Sequence, residues 1–206
     1  FTPADSTGFF TFNGVLPDGK VFSNGSGFKD PAQPEGTWTV ISPVLSGKVE
    51  RYQSVSWKYA LGLNSNPSID AGTSTSTIYV VLRTPTTPDL YHTVLEHACV
   101  PTGAANDGQA ITNSWSKFNG PANTKNVAGQ NLYYYQSGVS YANNPNKFVA
   151  DLLKNKNGRC TAWADLWMAV LRANGISCSL ITANINVSSW PADKGFLILN
   201  WQKDNQ

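Results

Sequence analysis

The chain has 206 residues, 41% of them hydrophobic and 12% aromatic with seven Trp, which is ample for packed cores and excludes intrinsic disorder over the whole length. Charged residues make up only 14%, against about 25% in an average soluble domain, so Ser, Thr, Asn and Gln supply the polar surface, as expected of an extracellular or cell-envelope protein. A formal charge of +2 with no Lys/Arg cluster argues against nucleic acid as a partner, and no apolar run reaches the roughly 20 residues that membrane insertion needs.

The length suits two domains, since single domains run to about 100–150 residues. Residues 1–83 consist of short alternating or aromatic runs, broken at intervals by Gly, Pro, Asn or Asp. The runs Gly8-Phe9-Phe10-Thr11-Phe12, Gly36-Thr37-Trp38-Thr39-Val40-Ile41, 49–61 and Thr77-Ile78-Tyr79-Val80-Val81-Leu82 predict antiparallel strands, with a turn at Pro17-Asp18-Gly19. The stretch 63–77, rich in Asn, Ser, Thr and Gly, is predicted to be a long loop. Together these features predict a β-sandwich-like module over residues 1–85.

Thr84-Pro85-Thr86-Thr87-Pro88 closes the β region, and the apolar spacing then becomes helical. A helix is predicted over 89–98, with Thr87 as N-cap, Pro88 in its first turn, and Leu90, Val94, Leu95 and Ala98 on one face. Others are predicted over 111–118 and over 146–156, the latter turning Phe148, Val149, Leu152 and Leu153 inward. A strongly apolar helix over 159–173 ends at Asn174-Gly175, a glycine stop. Two buried strands, 176–185 and 196–201, complete an α+β domain predicted over 86–206.

Three cysteines, Cys99, Cys160 and Cys178, cannot all pair with one another, so at least one is a free thiol or an intermolecular link. A Cys99–Cys178 disulfide would leave Cys160 as the odd thiol. Cys160 falls in the first turn of the 159–173 helix, where unpaired backbone N–H groups and the positive end of the dipole favour a thiolate and can face a developing oxyanion. The plain alternative is a small buried residue at a helix start, a common place for free Cys.

Gly158, Cys160, Trp163-Ala164, Leu166, Leu171-Arg172 and Gly175-Ile176 fall where the cysteine motif of the transglutaminase-like superfamily, within the wider papain-like group, has them. The segment 145–201 resembles that family, and the resemblance extends back toward Pro88. It implies a Cys-His-Asp triad acting on amide bonds of a protein or peptide substrate, with Cys160 as nucleophile, a His as base and then acid, and an Asp orienting the His. No cofactor is implied.

The sequence departs from the family in one respect. The family places its His and Asp after the Cys, yet the only histidines here are His92 and His97, both upstream, and the aspartates beyond the nucleophile helix, Asp193 and Asp204, stand in no recognisable motif. Three accounts fit. The chain begins at Phe1 rather than Met, so one expectation is a piece of a longer protein, incomplete at its C-terminus, with His and Asp beyond Gln206. A second is a non-catalytic structural or binding module of a secreted or cell-surface protein that keeps the fold without a complete triad. In the third, an upstream His meets Cys160 in space. His92 and His97, five apart, diverge by about 140° around a helix and lack the spacing of zinc motifs, so no metal site is expected. Core packing is the expectation for Tyr133-Tyr134-Tyr135 and for Trp163 and Trp167.

Overall fold

The computed structural model describes residues 8–28, 41–63, 66–88, 90–118, 124–134, 148–158 and 160–180. The chain forms two compact units that share the sequence unevenly: Phe1–Leu82 with Cys99–Ala110, and Arg83–Ala98 with Ile111–Gln206.

The first unit is built on one antiparallel sheet of β1 (Gly8–Val15), β2 (Val21–Phe28), β3 (Glu50–Leu63) and β4 (Asn66–Val80), in the order β2-β1-β3-β4. Among its described residues this unit holds no second sheet. The Pro17-Asp18-Gly19 turn forms as predicted: Gly19 takes φ +85°, its N–H donates to Leu16 O at 2.9 Å, and the Lys20 N–H reaches the Asp18 carboxylate at 3.2 Å. β1 keeps one register along β3, from Gly8 opposite Leu63 to Val15 opposite Ser56.

The predicted loop over 63–77 is instead most of β4, which pairs with β3 from Leu63–Asn66 to Glu50–Val80. Residues 69–76 are exposed throughout, so the hydrophobic alternation that marks a half-buried strand is missing there. Cross-strand bonds hold this part instead: Trp57 Nε1–H donates to Ser76 Oγ at 2.7 Å, and the Tyr59 and Ser74 hydroxyls meet at 2.6 Å. The predicted 36–41 strand lies almost wholly outside the described residues.

Leu16, Phe22 and Val55 form the buried centre of this unit, with Leu45, Tyr52, Trp57 and Ile78 packed on it. A Cβ on Gly14 would come within 2.5 Å of Trp57 Cζ3 and 2.9 Å of the Phe22 ring, so only glycine fits beneath that pair. Residues 99–110 return to this unit: Val49 donates to Ala104 O and accepts from the Gly103 N–H, each at 2.7 Å.

The second unit contains α1 (His92–Cys99) up to Ala98, the end of α2 (Asp107–Trp115), a 3₁₀ turn (Ser116–Phe118), β5 (Tyr133–Tyr134), α3 (Val149–Asn155), β6 (Asn157–Gly158) and α4 (Cys160–Ala173). β5 and β6 pair in parallel, Tyr133 with Asn157 and Tyr134 with Gly158. α1 starts later than predicted because the chain first makes a tight turn, Leu90 N–H to Pro88 O at 2.9 Å. Thr87 and Pro88 therefore do not cap it and Leu90 is exposed, whereas Val94 and Ala98 are buried. α2 starts earlier than predicted, because Asn106 caps it through the Gln109 N–H at 3.0 Å while the Gln109 side chain accepts from the Ala105 N–H at 2.9 Å.

α3 buries Val149 and Leu152 against α4, but Phe148 is the extended N-cap residue at φ −113°, ψ 159°, and so stands 63% exposed instead of turning inward. Ala162, Leu166, Ala169, Val170 and Ala173 make the buried stripe of α4. Its end has both hydrogen bonds of a Schellman cap: Gly175 N–H to Arg172 O at 2.9 Å and Ile176 N–H to Leu171 O at 3.1 Å, with Gly175 at φ +69°. The buried Asn174 amide donates to Ala98 O at 3.0 Å, tying α1 to that cap. Residues 176–180, predicted to open a strand, carry no regular structure. The remainder of that strand and the predicted 196–201 strand lie outside the described residues.

Candidate active site

The geometry around Cys160 begins with close packing. α3 ends at Lys156, which takes a left-handed φ of 58° and turns the chain into β6. A Cβ on Gly158 would sit 3.0 Å from Leu152 Cδ1 and 3.1 Å from Ala162 Cβ, so glycine allows the segment to thread between α3 and α4. Two residues later Cys160 opens α4, with its side chain exposed and its thiol free. Among the described residues no side chain hydrogen-bonds that thiol. A residue in the first turn has no i−4 carbonyl to bond, which leaves N–H groups at this end of α4 for another acceptor.

Cys99 is buried and Cys178 half-buried, and the disulfide envisaged between them does not form. Each instead lies against a carbonyl, Cys99 Sγ 3.7 Å from Val80 O and Cys178 Sγ 3.8 Å from Met168 O.

The two histidines are placed differently. His97 is buried, its Nε2 lies 2.9 Å from Lys125 O, and burial holds its pKa below the ordinary value of 6.5. With a carbonyl as partner, Nε2 carries the hydrogen. His92 is exposed on α1, 3.8 Å from the Glu96 carboxylate one turn on. Asp193 and Asp204 lie outside the described residues. Among the described residues no three His, Cys, Asp or Glu side chains form a metal-ligand group, and no helix is long and apolar enough to cross a membrane.

Aromatic rings continue the face of α4 that starts at Cys160. Trp163 and Trp167 follow at i+3 and i+7, within about 60° of Cys160 around the helix. Both are half-buried. The Trp163 N–H donates to Tyr133 O at 3.3 Å, and Phe118 stands edge-on to both indoles, with ring centroids 6.4 Å from Trp163 and 5.1 Å from Trp167. Tyr133 and Tyr134, on the two-residue strand β5, are exposed rather than core residues, and Tyr135 lies outside the described residues. Tyr133 instead lines an open hollow with Gly129, Gln130, Asn131, Asn155 and Lys156. Sequence reasoning missed Trp115 and Phe118, since it is the end of α2 and the Ser116–Phe118 turn that set them beside α4.

No curated protein and no solved structure matches the chain. Residues 116–196 match the family model of the transglutaminase-like superfamily, a span that encloses Gly158, Cys160, Leu171-Arg172 and Gly175-Ile176 and begins well before 145. The chain therefore carries a transglutaminase-like superfamily domain over residues 116–196.

Proposed function

We propose that the second unit performs thiol-dependent acyl transfer or hydrolysis at amide bonds of a protein or peptide, with Cys160 as nucleophile. The observation that carries this is an exposed, free thiol at the first residue of α4, two residues after the close-packed glycine of the family motif. In the reaction the sulfur attacks the amide carbonyl, the C–N bond breaks as the amine leaves with a proton, and water or a second amine releases the acyl group from sulfur. The backbone N–H of Cys160 would donate to the oxyanion that forms at each stage. The sparse charge and the Ser-, Thr- and Asn-rich surface support an extracellular or cell-envelope setting.

The test uses glutamine peptides with and without a primary amine, following ammonia release, amine incorporation and the mass of the Cys160 peptide. Turnover that stops in Cys160→Ala, with an acyl adduct on Cys160 in the wild type, supports the reading. Equal turnover in Cys160→Ala would refute it.

A second reading is favoured by one observation: residues 161–206, the stretch directly after the nucleophile, hold no histidine to serve as base. In this reading the domain is a structural or binding module, and a reactive Cys160 would form no acyl adduct with any amide substrate.

A further inference from the structure

The aromatic face that starts beside Cys160 has an outer member. Trp115, at the end of α2, meets Trp167 edge to face with ring centroids 4.9 Å apart and lies 6.2 Å from Phe118, nearly parallel to it. The cluster is anchored from behind. Trp163 is hydrogen-bonded to Tyr133 O, and the buried His97 ring rests 5.5 Å from Phe118 while its Nε2 is held by Lys125 O. Trp115 is nevertheless 55% exposed, so its ring surface is available at the edge of the cluster. It also precedes the span matched by the family model, which therefore assigns it no role.

We infer that Trp115, backed by Phe118 and Trp167, is a specificity-determining wall that takes an aromatic or large aliphatic side chain of the peptide whose amide is presented to Cys160. This deepens the nucleophile reading and rests on it. An apolar side chain fits because what the cluster offers outward is aromatic ring surface, at the exposed Trp115. Trp167 lies about 10 Å along α4 from Cys160, which an extended peptide spans in about three residues. The side chain served by the wall is thus two or three residues from the reacting amide.

Two reagents test this through Cys160 itself: iodoacetyl-Gly-Gly amide and iodoacetyl-Gly-naphthylalanine amide, in which the thiol displaces iodide. Rates at Cys160 are read by peptide mass spectrometry and divided by the rates of the same reagents with glutathione. The expected corrected preference for the naphthyl reagent is about tenfold, from ring burial against Trp115. Trp115→Ala should bring it to about one, and Trp115→Phe should keep most of it, with far-UV circular dichroism showing that each variant folds. Equal corrected rates in the wild type, or a preference that survives in Trp115→Ala, would overturn the wall while leaving the nucleophile reading in place. A Cys160 that reacts with neither reagent would overturn both.

Discussion

Replacing Gly175 by Ala should be among the more damaging single-methyl additions in the second unit. At φ +69° an alanine pays about 1–2 kcal/mol for left-handed backbone. The new Cβ would also lie 2.8 Å from both Arg83 Cβ and Thr84 O. One neighbour is a carbonyl of the main chain, so relief requires backbone movement, which overpacking data place at about 1–3 kcal/mol. The stiffer unfolded chain returns about 0.4–1 kcal/mol. The net expectation is a loss of about 2–4 kcal/mol. Gly129 provides the control, since its φ is +76° but nothing lies within 4 Å of its Cβ position. Gly129→Ala should therefore cost only about 1 kcal/mol. Urea unfolding followed by tryptophan fluorescence measures both, with the comparison made on the midpoint at constant slope. Equal losses for the two variants would show that the crowding at the end of α4 carries no energy, and the steric part of the reasoning would fail.

Stability should also depend on His97. Its folded pKa lies below 6.5, so below that pH the unfolded state binds the extra proton first; stability is complete above pH 6.5 and falls as pH drops toward the depressed value. Subtracting the urea midpoints of His97→Gln from those of the wild type at pH 7.5, 6 and 5 should reveal that fall, and a flat difference would contradict it. Iodoacetamide should label the exposed Cys160 first, the half-buried Cys178 second and the buried Cys99 last; early labelling of Cys99 in the native protein would refute the ranking. Because Cys160 is exposed, Cys160→Ala should change stability by no more than about 0.5 kcal/mol. Gly158→Ala should cost about 1–3 kcal/mol through Leu152 and Ala162. Leu152→Ala should suppress that cost in a double-mutant cycle, and strict additivity would mean the two do not touch.

Where local rules carried the structure, the sequence was readable. The apolar stripe of α4 and its Asn174-Gly175 end follow from helical spacing and from the left-handed residue a Schellman cap needs. The Pro17-Asp18-Gly19 turn is equally local. β4 was hidden because residues 69–76 are exposed and their Ser and Thr side chains resemble loop composition; pairing with Trp57 and Tyr59 of β3 is not a local property. The start of α2 was legible in principle, since Asn106 and Gln109 have capping-box spacing, but its first turn, Asp107-Gly108-Gln109-Ala110, carries no large apolar residue. At the site, Gly158 and Cys160 stand out as a motif. The exposure of Trp115 does not, because it depends on which residues α2 and the Ser116–Phe118 turn bring to α4.

The uneven sharing of sequence between the two units bears on how the protein is made. A ribosome releases the chain in order, so Val49 waits for Gly103 and Ala104 before its two backbone bonds can close, and residues 83–98 of the second unit emerge in the meantime. The first unit therefore cannot finish as an independent early product of translation. By the same token, a protease nick within residues 83–98 would free neither unit, because the first would still hold strands from one side of the cut and residues 99–110 from the other. A genetic exchange that moved the thiol-bearing unit into another protein as one continuous block starting at Arg83 would carry residues 99–110 along, away from the unit they belong to.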